Sequence, residues 1–242
     1  MSFLTQPPVR RIPHDRIGLR MILVAHNAII RSIELLRAEG YPLATALEND
    51  ITERLEDKLE NRLRQTGEVP GFDTLHFGKV TRANELTNFD RTKKSKKPDL
   101  VFALKREGRL DLLQTHDALF AECKPVDKTH RLKAAYCAVD KDCTGIERFV
   151  IGDYGWTMEE ALMIGYVRGG FRIKPHLATA LKDVSCYAKL GCPGRPRVIK
   201  ISQASPGMEA LHVTRHSRRF CWVSTNRKAT PIFLYHSWHS CS

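Results

Sequence analysis

Residues 97–125 read KPDLVFALKREGRLDLLQTHDALFAECKP, and the placement of three charges in this stretch decides how the chain is understood. DLVFAL and ALFAECK are short apolar runs bounded by turn chemistry, the pattern of strands buried on both faces. Asp99 opens the first run, whereas Glu122 and Lys124 stand inside the second. An ionised side chain within a core strand is costly unless an opposite charge or a metal meets it. Residues two apart leave the same face of a strand, so Glu122 and Lys124 are expected to point one way together. KREGR is predicted to turn the chain, and LDLLQ to form a returning strand.

Outward from this stretch the elements follow from periodicity and punctuation. Pro7, Pro8 and Pro13 mark residues 1–13 as a mobile arm. A helix is predicted from Asp15, with Ile17, Met21, Val24, Ala28 and Leu35 at helical spacing and Gly40 and Pro42 as its stop. A second helix is predicted over residues 43–65, its core face formed by Leu47, Ile51, Leu55, Leu59 and Leu63. PGFDTLHFGKV then reads as a turn and a short strand. Residues 128–139 are helical in composition, GIERFVIGDY reads as a strand, and MEEALMIGYVR as a helix ended by Gly169 and Gly170. Beyond residue 171 a helix over 177–189 precedes the loop GCPGRPR and four β-type runs, RVIKIS, ALHVTRH, RFCWVS and PIFLYH. The expected organisation is α/β in three parts: an arm and helix over 1–42, a core over 43–170, and a β-rich extension packed on it over 171–242.

Pro98-Asp99 on one strand and Glu122-Cys123-Lys124 on the next, after an acidic helix, resemble the PD-(D/E)xK nuclease superfamily over residues 43–168. The resemblance implies the restriction-endonuclease-like fold, an αβββαβ core with a mixed central sheet. It also implies metal-dependent hydrolysis of DNA phosphodiesters by an endonuclease, in restriction, repair or anti-phage defence. Mg²⁺ (or Mn²⁺) takes oxygen ligands and keeps waters, so Asp99 and Glu122 with the Cys123 carbonyl suffice to hold it. Lys124 would orient the attacking water. Of the helix carboxylates Glu48, Asp50, Glu53 and Glu56, Glu48 lies nearest the core face and is expected to assist. The motif letters alone carry little weight, because Glu56-Asp57-Lys58 repeats the spacing on a predicted helix surface. Read without the resemblance, Asp99 can open a turn, and Glu122 with Lys124 can form an ion pair at a strand end.

Lys plus Arg number 39 against 27 Asp plus Glu, a net charge of +12 that favours a polyanionic partner. Five of the seven residues in RTKKSKK (91–97) are basic and directly precede Pro98. Lys93, Lys94, Lys96 and Lys97, joined by Lys128, Arg131 and Lys133, are therefore the expected phosphate contacts. DNA is the expected partner, RNA fits the same residues, and a homodimer or a partner protein is compatible with them. A reading of another class is a nucleic-acid-binding or assembly subunit that keeps the fold without cutting. His212, Arg215, His216, Arg218 and Arg219, next to Phe220 and Trp222, read either as a second phosphate-contacting surface or as a polar strand edge.

Other classes fit poorly. The apolar run MILVAHNAII is ten residues long and holds His26 and Asn27, too short and polar for a membrane span. It also lacks the pattern of a secretory signal. Seven cysteines without a CxxC point to reduced thiols and a cytoplasmic protein, with Cys137, Cys143, Cys186 and Cys192 read as core thiols. His212 and His216 would suit zinc on a helix, but ALHVTRH reads as a strand. GxxxxGK[ST] is absent, which argues against a nucleotide-driven motor.

Overall fold

The computed structural model describes residues 11–93, 96–106, 108–130, 132–137, 144–200, 210–223 and 225–242. Strand β1 (Phe77–Thr81) pairs antiparallel with β2 (Leu100–Leu104), and β2 antiparallel with β3 (Ala118–Val126). All nine residues of β3 are buried, as a run without polar alternation requires. β4 (Glu160–Val167) lies parallel to β3. Beyond β4, the sheet continues through β5 (Arg197–Val198), β6 (His212–His216) and β7 (Ile232–Ser240), giving seven strands in the order β1-β2-β3-β4-β7-β6-β5. β7 is parallel to β4 along its length, so the C-terminal strands belong to the same sheet as β3.

Two helices cover one face of this mixed sheet. α1 (Leu19–Ala38) reaches β7, where His26 Nδ1 lies 2.7 Å from Ser237 Oγ. α2 (Glu48–Asp57) runs through a π-helical turn, Lys58–Leu63, into α3 (Arg64–Thr66), and Gly67 at φ 65° ends it. The π turn explains the leucine spacing. Each four-residue step overshoots a 3.6-residue turn by about 40°, so a four-step stripe drifts off an ideal helix face. The wider i→i+5 turn absorbs that drift, and Ile51, Leu55, Leu59 and Leu63 are all fully buried. Leu47, expected on the same face, is the residue before the helix and is 71% exposed.

Several expectations are corrected. MEEALMIGYVR is not a helix: Glu160–Val167 is β4, buried at every position between β3 and β7. Its residue types favour helix, but a run with no polar face suits a central parallel strand, and tertiary pairing overrides propensity. GIERFVIGDY is not a strand, for it contains α4 (Ile146–Val150). Ile146, Phe149 and Val150 are buried at i, i+3 and i+4, and a parallel β3–β4 pair needs a crossover that returns the chain. LDLLQ does not pair. Arg109 grips Asp111 through two hydrogen bonds and also meets Asp15, which leaves Leu110 81% exposed on a loop. The helix expected over 177–189 is broken into a π turn Ile173–Leu177, α5 (Ala178–Leu181) and α6 (Val184–Tyr187), the last capped by Asp183 on the Ser185 N–H. RFCWVS makes a single bridge, Cys221 to Lys228. The arm over 1–10 and residues 201–209 lie outside the described residues.

The opposite face carries Tyr136, whose hydroxyl lies 2.9 Å from His236 Nδ1 and accepts the Trp238 indole N–H at 2.9 Å. Gly165 on β4 sits opposite Trp238, and a Cβ there would come within 2.6 Å of the indole ring. Gly165→Ala is expected to cost about 1–3 kcal/mol by overpacking, measured by chemical denaturation. Thr214 Oγ1 links the His236 and His216 rings, each at 2.7 Å. Burial holds His216 at about 4 against the usual 6.5 and His236 well below 6.5. Burial first, and then His14, lowers His116 to about 4. Below pH 6.5 the unfolded chain takes up protons that the folded chain refuses until about pH 4. Stability is therefore expected to fall as pH is lowered across that window, and His216→Gln to flatten the loss by about 3 kcal/mol, read from urea unfolding.

Candidate active site

The register Leu100↔Ala121 sets Asp99, just before β2, beside the middle of β3. There its Oδ2 accepts the Cys123 N–H at 2.7 Å. Lys124 leaves β3 on the face of Glu122 and carries its ammonium to the start of α2. Its Nζ is 2.6 Å from Glu48 Oε1, 3.1 Å from Glu122 Oε1 and 3.4 Å from Asp99 Oδ2. The same group donates to the Cys123 carbonyl at 2.6 Å. All four of the acidic and basic residues expected from the sequence thus meet around one nitrogen. Side-chain exposure grades outward, from 0% at Glu122 and 10% at Lys124 to 21% at Asp99 and 27% at Glu48. The cluster is deep at one end and open at the other.

Three groups hold Glu122 that the sequence did not single out. The Tyr154 hydroxyl donates to Oε2, the Gly145 N–H donates to Oε1 at 3.3 Å, and Arg148 Nη1 stands 3.4 Å from Oε1. Arg148 also donates to the Tyr154 hydroxyl at 3.3 Å. All three come from the 145–154 crossover. The available signal was the apolar triplet Ile146, Phe149 and Val150, which makes Arg148 a polar position of a short helix. Gly145 sits at φ 54°, and a side chain there would run into the Tyr136 carbonyl, so glycine suits both backbone and space.

The electrostatics follow from burial against a dense set of charges. Burial, then the Asp99 charge, raises the Glu122 carboxyl above its usual range, against the pull of Lys124 and Arg148. Burial also raises Glu48, with Lys124 opposing it. For Lys124, burial favours the neutral amine, but Glu122, Asp99 and Glu48 outweigh it and keep the ammonium above its ordinary value. Burial pushes the Cys123 thiol well up. That side chain faces away from the cluster towards Tyr166, which hydrogen-bonds Thr52 of α2 at 2.9 Å. Cys123 takes part in the site through its backbone alone, the N–H on Asp99 and the carbonyl on Lys124.

The basic run is pinned in place. Lys96 and Lys93 reach Asp153 at 2.7 and 3.6 Å, next to Tyr154, while Lys97 pairs with Glu85 at 3.0 Å. The run therefore flanks Glu122, with part of its charge neutralised. Lys128 is exposed beyond β3, and Lys133 pairs with Asp183. Lys94, Arg131 and Cys143 lie outside the described residues. Most of the second basic stretch is engaged within the protein, and Arg215 stays exposed. Arg218 is buried and donates to the Gly155 and Trp156 carbonyls at 2.8 and 2.5 Å, and to that of Met158. Arg219 pairs with Glu147. His216 is bound to Leu190 O and Thr214, and His212 lies 3.1 Å from Ala210 O, so they do not form a zinc pair.

Comparison with protein-family models, with curated proteins and with solved structures finds no match to this chain. Among the described residues no helix is long and apolar enough to cross a membrane. Nor does any group of three His, Cys, Asp or Glu side chains among them close into a chelating set. The donors around Lys124 Nζ are nonetheless all oxygens, three carboxylates and one carbonyl, the set a hard divalent cation takes. A divalent ion fits these donors if Lys124 swings aside. Lys124→Ala is expected to destabilise the metal-free protein by about 3–5 kcal/mol, because it removes the ammonium that three clustered carboxylates share. Millimolar MgCl₂ should restore part of that loss in a thermal melt, an effect Asp99→Asn should reduce.

Proposed function

We propose that the chain is a metal-dependent phosphodiesterase that cuts nucleic acid, with DNA as the first substrate to test. The finer fold within this reading is the restriction-endonuclease-like core, formed by α2–α3, β1, β2, β3, α4 and β4. One observation carries the reading: Asp99, Glu122, Glu48 and the Cys123 carbonyl converge on the Lys124 ammonium. An ion pair kept only for stability needs one carboxylate; three around one lysine build a site with excess negative charge.

The residues divide the work of phosphodiester hydrolysis. Asp99, Glu122 and the Cys123 carbonyl would hold Mg²⁺ or Mn²⁺, with Glu48 nearest the open side. When bound, such an ion polarises a phosphoryl oxygen and makes a bound water more acidic. Lys124 holds the attacking water by its ammonium and offsets negative charge growing on the phosphoryl oxygens. Tyr154 and Gly145 fix the Glu122 rotamer by hydrogen bonds, so the carboxylate does not reorganise during the reaction. Arg148 brings a second positive charge to the same carboxylate. Exposed Lys93 and Lys128 supply phosphate contacts that position the strand without reading sequence.

A second reading keeps the same partner and removes the chemistry. Lys124 already fills the centre of the carboxylates, and Tyr154 and Arg148 already satisfy Glu122, which also suits a binding subunit that does not cut. Cleavage assays on supercoiled and linear DNA, with a parallel RNA substrate, separate the two. With Mg²⁺ or Mn²⁺ the wild type should cut and EDTA should stop it. Asp99→Asn and Lys124→Ala should each lower the rate by about 100-fold or more while binding persists. Salt-sensitive binding without cleavage under any of these conditions would establish the second reading instead.

A further inference from the structure

A cavity of about 280 Å³ is walled by Ile12, Phe89, Trp156, Trp222 and Val223, with Asp90 and Arg91 on its rim. Trp156, Phe220, Trp222 and Ala229 form a cluster separate from the main core. The rings support one another, Phe220 edge-on to Trp222 at 5.3 Å and stacked on Phe89 at 4.4 Å. Trp156 and Trp222 are themselves buried, but Val223 at the cavity edge is 71% exposed and Asp90 and Arg91 are exposed too, so the cavity opens to solvent past these three.

One short loop ties this cavity to the carboxylates. Gly152 packs beneath Phe220 and Phe89, Asp153 holds Lys93 and Lys96, Tyr154 donates to Glu122, and Trp156 forms the cavity wall. The Cα atoms of Tyr154 and Trp156 are at most about 7.6 Å apart. The Arg218 guanidinium clamps this loop through the Gly155 and Trp156 carbonyls. The segment that leaves the rim carries one positive charge in excess: Arg91, Lys93 and Lys96 stand against Asp90 and the buried Asp153, which holds both lysines.

A ligand that suits these walls has a flat apolar face and a negative group on its flank. An apolar side chain of a partner protein would gain nothing from the cations, whereas a nucleotide uses both. A base paired in a duplex is held in its own stack and reaches such a cavity only after unpairing. We infer that the cavity binds an unpaired nucleobase, on the same strand as the phosphate at the carboxylates. The substrate class is then single-stranded nucleic acid, or a duplex with an unpaired stretch. The placement of the neighbouring phosphate rests on the phosphodiesterase reading; the stacking does not.

The test is binding in EDTA, with a fluorescein-labelled single-stranded DNA, a blunt duplex of the same sequence, and tryptophan fluorescence. The single strand should quench wild-type tryptophan emission and bind more tightly than the duplex. Trp222→Ala should weaken single-strand binding about tenfold and leave duplex binding unchanged. Val223→Glu, at an exposed position that spares the core, should weaken it in the same direction, and Trp222→Phe should keep most of it. An abasic site walked along the strand should reproduce the loss at one register. The inference is overturned if Trp222→Ala and Val223→Glu, both melting cooperatively, bind the single strand as wild type does, or lose single strand and duplex alike. Absence of metal-dependent cleavage by the wild type would count against the phosphodiesterase reading alone, and would leave this binding result intact.

Discussion

A carboxylate with no solvent exposure stands in the middle of the central strand, and much of the surrounding chain is arranged to tolerate it. Glu122 would be prohibitively costly on an isolated β3. It is met by the Lys124 ammonium on its own strand, by the Tyr154 hydroxyl and Gly145 N–H from the crossover, and by Arg148 from α4. Lys124 in turn needs more negative charge than Glu122 offers, and finds it in Asp99 at the start of β2 and Glu48 at the start of α2. Four separate segments are thereby drawn to one point. A polar cluster of this kind is favourable only when every member is present, which makes it a demanding constraint on sequence.

The part of this cluster on strands was legible in the sequence, because charged residues interrupting apolar runs are conspicuous. Asp99, Glu122 and Lys124 stood out for that reason, and the acidic start of the second helix suggested Glu48. The crossover was not legible. Residues 145–154 lack a long period, and Ile, Phe and Val invited a strand where a five-residue helix forms. The exchange of helix and strand between GIERFVIGDY and MEEALMIGYVR has one cause: both are short and apolar, and only the sheet decides which one is enclosed on both sides. RTKKSKK was visible as charge, but its pinning by Asp153 and Glu85 depends on contacts about 60 and 10 residues away.

Net charge proved a coarse guide to where a partner would sit. Of the basic residues in the C-terminal half, Arg218 is spent inside the protein on backbone carbonyls, and burial lowers its pKa to about 9. Arg219 and Lys133 face acids. Part of the positive charge therefore carries structural duties, and the field at the surface is shaped by the cations that stay exposed. Those at Arg91, Lys93 and Lys128 lie on segments that enter or leave the strands bearing Asp99 and Lys124.

The contact between Gly165 and Trp238 bears on how this chain can drift. The two residues face each other across parallel strands with no space for a single added methyl, and the indole also anchors Tyr136 behind it. Neither site can be altered alone without penalty: a side chain at 165 evicts the ring, and a smaller residue at 238 leaves a void and takes one hydrogen-bond partner from the Tyr136 hydroxyl. A path to other residues at these sites passes through a less stable ancestor or requires simultaneous change. The pair acts as a ratchet on divergence, holding the β4–β7 seam fixed while the loops around it are free to vary.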